Sequence, residues 1–393
     1  MASQAAKSLN YDVIVIGAGI EGSSSAYSLA KSGQKVLLIE QFPLPHGRGS
    51  SHGHSRITRY AYEDDFYVRM MVDAFPLWAE LQKEAGVEFF VPCGVLDIRA
   101  AGSASEQRVV SALRTHNIPH EVLNSSELKA RFPAVTTTDG YGAVWDPSGG
   151  LLRADKCLAA YQTVFKQLGG VIREAEPVTS LTPGDLVSVV TSRSVYRAHK
   201  VVIATGPWTD RFASALNVNL PLRPIRISVL YWKADPERLK EHGAKYLPCI
   251  LDSRDTREGH FHVYGLPIDE YPGLVKVALH DGPDINPDHR DATDSAWIDH
   301  VVAKYVSELL PFLDSKQPAL REHCIYTNTP DKHPFIDRHP QYPNVVICAG
   351  FSGHGFKLAP AVGKAVTELI SGKTPSYNMA PFRLDRFSPK SNL

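Results

Sequence analysis

Short apolar runs broken by glycine organise this chain. Tyr11-Asp-Val-Ile-Val-Ile16 is dense in β-branched residues and predicts a strand, and Gly17-Ala-Gly-Ile-Glu-Gly22 follows it directly. Residues 23–31 predict a helix that Gly33 is placed to end, and Lys35-Val-Leu-Leu-Ile-Glu40 predicts a second strand. Together they form one βαβ unit. Residues 41–58, rich in Gly, Pro, Ser and His, read as a long loop. Far downstream, Lys200-Val-Val-Ile-Ala204 and Asn344-Val-Val-Ile-Cys348 repeat the short buried-strand pattern. Each runs into a glycine turn, Thr205-Gly206-Pro207-Trp208 and Ala349-Gly-Phe-Ser-Gly353. Leu358, Val362, Val366 and Leu369 then recur at helical spacing. The first βαβ unit and the last strand–turn–helix are expected in one domain, with the middle of the chain supplying a second.

Composition narrows the classes. The 393 residues exceed one typical domain, and 43% hydrophobic with 21% charged residues fits a globular core. Lys+Arg and Asp+Glu are equal at 42 each, which gives no electrostatic reason for a nucleic-acid or anionic-membrane partner. No apolar run approaches the roughly 18 residues a membrane span needs. Residues 1–10 lack an apolar signal core, so secretion is not expected. Five scattered cysteines form neither CxxC nor a zinc pattern, which suits free thiols in a reducing compartment. The chain ends Ser391-Asn392-Leu393, a loose relative of the SKL peroxisomal address.

Chemistry enters with Gly17-x-Gly19-x-x-Gly22. Glycines there permit a tight turn and close approach of backbone to a pyrophosphate, and the helix N-terminus adds free N–H groups and partial positive charge. Glu40, 21 residues after Gly19, stands where a ribose hydroxyl is bound in dinucleotide folds. A purely structural glycine turn is the competing reading, and the motif does not separate FAD from NAD. In Arg48-Gly-Ser-Ser-His-Gly-His-Ser-Arg56-Ile-Thr-Arg59, two arginines three apart suit a carboxylate, although a solvated basic loop reads equally well. His52-x-His54 lacks a nearby third metal ligand. Phe351-Ser-Gly-His354-Gly-Phe-Lys357 sets a lysine at a helix N-terminus, suited to an anion or to nothing more than solvent. Cys324 reads as an inert buried thiol, and Tyr264, Lys276 and His280 as ordinary strand residues.

Taken together, GSSHGHSRITR (49–59), KVVIATGPWT (200–209), YGLP (264–267), CIYTNTPD (324–331) and AGFSGHGFKLAP (349–360) resemble the monomeric sarcosine oxidase family of FAD-dependent amine oxidases. The likeness runs over almost the whole chain and is nearest to the peroxisomal sarcosine oxidase and L-pipecolate oxidase branch. It implies an α/β fold, a glutathione-reductase-like, Rossmann-type FAD domain with an interleaved α+β substrate domain. The FAD domain is expected from 1–85, 152–215 and 325–372, and the substrate domain with the tail from 86–151, 216–324 and 373–393.

The resemblance also assigns residues. It implies a thioether from Cys324 to FAD, a carboxylate clamp of Arg59 and Lys357, Arg56 against the flavin ring, and Lys276 as the oxygen-activating lysine. Tyr264, Tyr326, His280 and His354 would line the substrate cavity. Gly17, Gly19, Gly22, Glu40, Ser50, Ser51, His52, Val178, Gly206, Trp208, Gly353, Gly355, Phe356 and Lys357 would contact the cofactor. Departures fall at Ser51, where bacterial members carry histidine, at Leu279, where they tend to tyrosine, and at Pro334, where an aromatic is usual. These put substrate size in doubt rather than reaction type. The expected partners are a small secondary amino acid such as sarcosine or L-pipecolate, oxygen, and the peroxisomal import receptor, for a monomer that binds neither nucleic acid nor membrane. An oxidase of a primary or glycated amine, an NAD-dependent dehydrogenase and a non-catalytic flavin protein are the alternatives.

Overall fold

The computed structural model describes residues 9–241, 247–253, 255, 256, 259, 260 and 262–387; the terminal Ser391-Asn392-Leu393 lies outside them. Leu9–Ile16 forms the central strand of the first sheet, parallel to Val36–Ile39 on one side and to Val195–Ile203 on the other. Val345–Ala349 pairs in parallel with Val195–Ile203, so strands from both ends of the chain share this sheet. Its uninterrupted apolar runs have a physical cause, since both faces are covered. Val13 and Val15 face a core that includes the helices Ile20–Lys31 and Gly355–Ile370, while Ile14 and Ile16 face a second core on the opposite side.

The second sheet has eight strands and is mostly antiparallel. Its order runs Leu320–Asn328, Arg223–Lys233, Leu274–Leu279, Val263–Leu266, Cys249–Asp252, Val95–Ala100, Tyr141–Asp146 and Glu121–Leu123. Side chains alternate across it with period two. Leu230, Val275, Val277 and Val263 pack against Ile298, Val302 and Val306 of the helix Ala296–Leu309. The other face carries Cys324, Lys276 and Tyr264 toward the first sheet, where they line a cavity. The boundary expected at 324/325 falls inside the strand Leu320–Asn328.

One stretch departs from the predicted loop 41–58. Ser55–Thr58 is a strand, paired antiparallel with Gly150–Arg153. Its partner lies far along the chain, and neighbouring glycines and serines mask so short a run.

Candidate active site

A cavity of about 1040 Å³ runs from the glycine loop to the second sheet. Gly17, Gly19, Glu40, Ser50, Ser51, His52, Val178, Gly206, Trp208, Gly353, Gly355 and Phe356 all line it. Gly17 has φ +98°, and a Cβ there would sit 2.4 Å from the Ala204 carbonyl oxygen. Gly22 does not line the cavity; it packs, because its Cβ would fall 1.8 Å from the Gly17 oxygen. The N-cap of the helix Ile20–Lys31 is Gly19, which has no side chain to cap it, and the helix N-terminus opens on the cavity. Glu40 accepts the Ala18 N–H at 2.8 Å and the Phe42 N–H at 3.0 Å. Burial alone would raise its pKa, but His46 and these two N–H groups hold it below the usual range. Both carboxylate oxygens keep a further lone pair for an outside donor.

The loop before Ser55–Thr58 is fixed from two sides. Ser51 Oγ accepts the Ile20 N–H at 2.9 Å. The buried Arg56 guanidinium donates to the carbonyls of Ser55, Ser50 and His52 at 2.7, 3.0 and 2.6 Å. Cys324 Sγ stands 3.5 Å from the Ser50 carbonyl and 3.9 Å from Arg56 Nη2. Cys324 lines a second, inner cavity, while its neighbours Ile325 and Tyr326 also line the large one. The thiol is thus at the junction. His52 is pushed down to about 4 by burial and the nearby Arg56, and is neutral near neutrality.

The inner cavity is about 100 Å³ and shares Arg56, Tyr326, Gly353 and Phe356 with the large one. Arg56, Arg59, Tyr264, Lys276, His280, Tyr326, His354 and Lys357 all line it. Gly353 sits at φ +84°, and a Cβ there would be 2.6 Å from His280 Nε2, so only glycine lets the turn close on the histidine. Two cations face this space with little to hold them. Arg59 stacks 4.1 Å from the Tyr62 ring, with Nη1 buried and unbonded and Asp97 at the 4.0 Å limit of an ion pair. Among the described residues, Lys357 Nζ makes one hydrogen bond, to the His354 carbonyl at 3.5 Å, and stands 6.0 Å from the Tyr62 ring centre. Burial, then Arg59 and Arg56, push the Lys357 ammonium well below its ordinary pKa. An entering carboxylate relieves both the desolvation and the repulsion, and would raise that pKa again. His280 and His354 are each pushed down to about 3, chiefly by burial, so they add no charge of their own.

Several participants escape sequence reading. Lys276 Nζ donates to Ser55 Oγ at 2.7 Å and forms a tight ion pair with the buried Glu270. Burial lowers the Lys276 pKa, and Glu270 works against that shift. Tyr231 donates its hydroxyl to both Glu270 and Glu322, and Tyr271 donates to Glu322. A continuous polar chain therefore leads from the inner cavity to partly exposed Tyr271. Tyr231 and Lys276 are register partners on adjacent strands, a pairing no local pattern reveals. Glu21 is the other surprise. It lines the large cavity, both its oxygens are buried without a partner, and burial pushes its pKa well up. In sequence it is indistinguishable from an exposed acid in a helix's first turn.

A family described as "FAD dependent oxidoreductase" matches residues 12–369. The chain belongs to that family. It is 45% identical to the peroxisomal sarcosine oxidase of Mus musculus over 97% of both chains. It is 35% identical to the monomeric sarcosine oxidase of Bacillus sp. strain NS-129, over 96% of this chain and 97% of that one. The crystal structure of L-proline dehydrogenase from P. horikoshii superposes with a TM-score of 0.82 at 25% identity, over 97% and 98%. As a family member the chain is an FAD-dependent oxidoreductase acting on amine C–N groups. The residues fit FAD: the cavity is dinucleotide-sized, Gly17, Gly353 and Gly355 on its wall leave no room for a Cβ, and a helix N-terminus faces it. Burial favours the uncharged form of Glu21, which lessens its repulsion of a diphosphate. Among the described residues no helix is long and apolar enough to cross a membrane, and no group of three or more His, Cys, Asp or Glu could hold a metal.

Proposed function

We propose that this chain oxidises a small amino acid with a secondary amine, sarcosine or L-pipecolate, to the imine and passes the electrons to oxygen as hydrogen peroxide. The observation that carries the reading is the pair of under-partnered cations, Arg59 and Lys357, in a cavity of only about 100 Å³. A buried cation without a counter-charge is costly, and a substrate carboxylate supplies one. The small volume favours a small substrate over a glycated one. Bound FAD supplies hydride acceptance and the return of two electrons to oxygen.

The protein's own groups do the rest. Arg59 and Lys357 bind and orient the carboxylate, and their charge favours the neutral amine, the form from which the neighbouring C–H leaves as hydride. Tyr264, Tyr326 and the neutral imidazoles of His280 and His354 wall the space and exclude water. Lys276, whose charge Glu270 supports, offers its ammonium to the negative charge that oxygen acquires. Cys324, at the junction of the two cavities, is assigned the covalent link to FAD. The name of the mouse relative and the terminal Ser-Asn-Leu support a peroxisomal site reached through the import receptor, and the Bacillus relative's name supports a monomer.

Oxygen uptake and peroxide formation, measured with sarcosine, L-pipecolate, L-proline, glycine and dimethylamine, test the reading. Secondary amino acids should turn over far faster than glycine or the carboxylate-free dimethylamine. Equal rates with dimethylamine would overturn it.

A further inference from the structure

Two of the five cysteines, 156 residues apart in sequence, lie side by side away from the cofactor junction: Cys93 Sγ and Cys249 Sγ are 3.7 Å apart. We propose that Cys93 and Cys249 are a peroxide-reactive dithiol, a modification site that closes to a disulfide when hydrogen peroxide reaches it. The placement comes from the sheet. Cys249 opens the strand Cys249–Asp252, opposite Val95, and its N–H donates to the Gly94 carbonyl at 3.1 Å. Cys93 sits one residue before Gly94, so the backbone itself sets the two sulfurs in contact. Closing the bond brings the sulfurs from 3.7 Å to about 2.05 Å.

The two thiols differ in the way the chemistry needs. Cys93 is half-buried and reachable, whereas Cys249 is fully buried. The contact between the two sulfurs, in which either can be the donor, lowers the Cys93 pKa against a smaller effect of burial, while burial raises that of Cys249. Cys93 is therefore the nucleophile and Cys249 the resolving thiol. Cys157 and Cys348 are buried thiols whose pKa burial raises, which leaves them inert. The oxidant is at hand. Cys93, Cys249, Leu251 and Tyr264 belong to one apolar cluster, and Leu251 and Tyr264 line the inner cavity where the oxidase reading places peroxide formation.

The steps balance. Cys93 thiolate attacks peroxide, the O–O bond breaks, a sulfenic acid forms and hydroxide leaves, taking up a proton as water. Cys249 sulfur then displaces the sulfenic oxygen as a second water. Two thiols lose two electrons and two protons, and one peroxide is reduced to two waters.

The test uses flavin-loaded, full-length protein, reduced, desalted and treated with a few equivalents of added hydrogen peroxide without substrate. Free thiols are alkylated under denaturing conditions and the protein is digested without reductant. The expected result is a Cys93–Cys249 cross-linked peptide, lighter by two hydrogens than its parts, abolished by dithiothreitol and absent in C93A. In C249A, Cys93 should instead accumulate as sulfenic and sulfinic acid. Recovery of both cysteines as alkylated thiols, or of Cys93 over-oxidised in the unaltered chain without a cross-link, overturns the proposal. Because the peroxide is added, a negative result here is distinct from failure of the substrate reading, which the oxygen-uptake assay reports separately.

Discussion

Lys357 is buried, nearly unbonded and repelled by two arginines. Lys357→Met keeps the length and apolar stem of the side chain and removes only the charge. Substrate binding should suffer, because a hydrogen bond to a charged group contributes about 1.5–3 kcal/mol. At 1.4 kcal/mol per decade, kcat/KM for sarcosine should fall about 10- to 150-fold. Most of the loss should appear in KM, since the clamp is made in the ground state as well as the transition state. Dimethylamine, which has no carboxylate, should be oxidised at the unaltered chain's slow rate. Stability should move the other way. An unpaired buried ammonium is replaced by a thioether of similar volume, so the Tm of the substrate-free protein should be equal or higher. Steady-state oxygen uptake with both amines, beside a thermal melt, gives the answer. Unchanged KM for sarcosine with unchanged selectivity over dimethylamine would refute the clamp, and a fall in Tm would refute the claim that Lys357 is unpaired before substrate binds.

Other consequences follow from the same geometry. Lys357 is charged below its depressed pKa and neutral above it, so sarcosine kcat/KM should fall on the alkaline side, from a pH well below that of an ordinary lysine; in Lys357→Met a pH profile should lose that limb. Lys276→Met should slow flavin reoxidation far more than flavin reduction in stopped-flow traces. Glu270→Gln removes the carboxylate that raises the Lys276 pKa against burial, and should shift the alkaline loss of reoxidation rate to lower pH. Cys324→Ala should abolish flavin fluorescence from the protein band of a denaturing gel, while the native protein stays yellow. Gly17→Ala should lose FAD binding outright, as its Cβ would lie 2.4 Å from the Ala204 oxygen at φ +98°.

The cofactor end of the site was readable because its parts are local. Gly17, Gly19, Gly22 and Glu40 lie within one βαβ unit, where turn geometry and spacing carry the chemistry. The inner cavity was readable only through family likeness. Tyr264, Lys276, Tyr326 and Lys357 come from separate strands and a helix, and nothing in their own neighbourhoods says that they converge. Tyr231 and Glu322 went unseen because cross-strand pairing brings them together beside Lys276, whereas Glu270 lies in the turn six residues before Lys276, where nothing local marks it. Ser55–Thr58 looked like a loop because its strand partner is the distant Gly150–Arg153. Glu21 shows the same limit in reverse: its place in a helix's first turn is plain in the sequence, while the burial that raises its pKa comes from packing near Gly355.

The central claim is that secondary amino acids reduce a flavin held in this site. Purified, flavin-loaded protein mixed with sarcosine in the absence of oxygen tests it most directly. The account predicts that the visible flavin absorption bleaches at a rate that saturates with sarcosine, and that it returns when air is admitted, with one peroxide formed per flavin reoxidised. A protein that carries FAD but stays yellow with sarcosine, L-pipecolate and L-proline alike would contradict it.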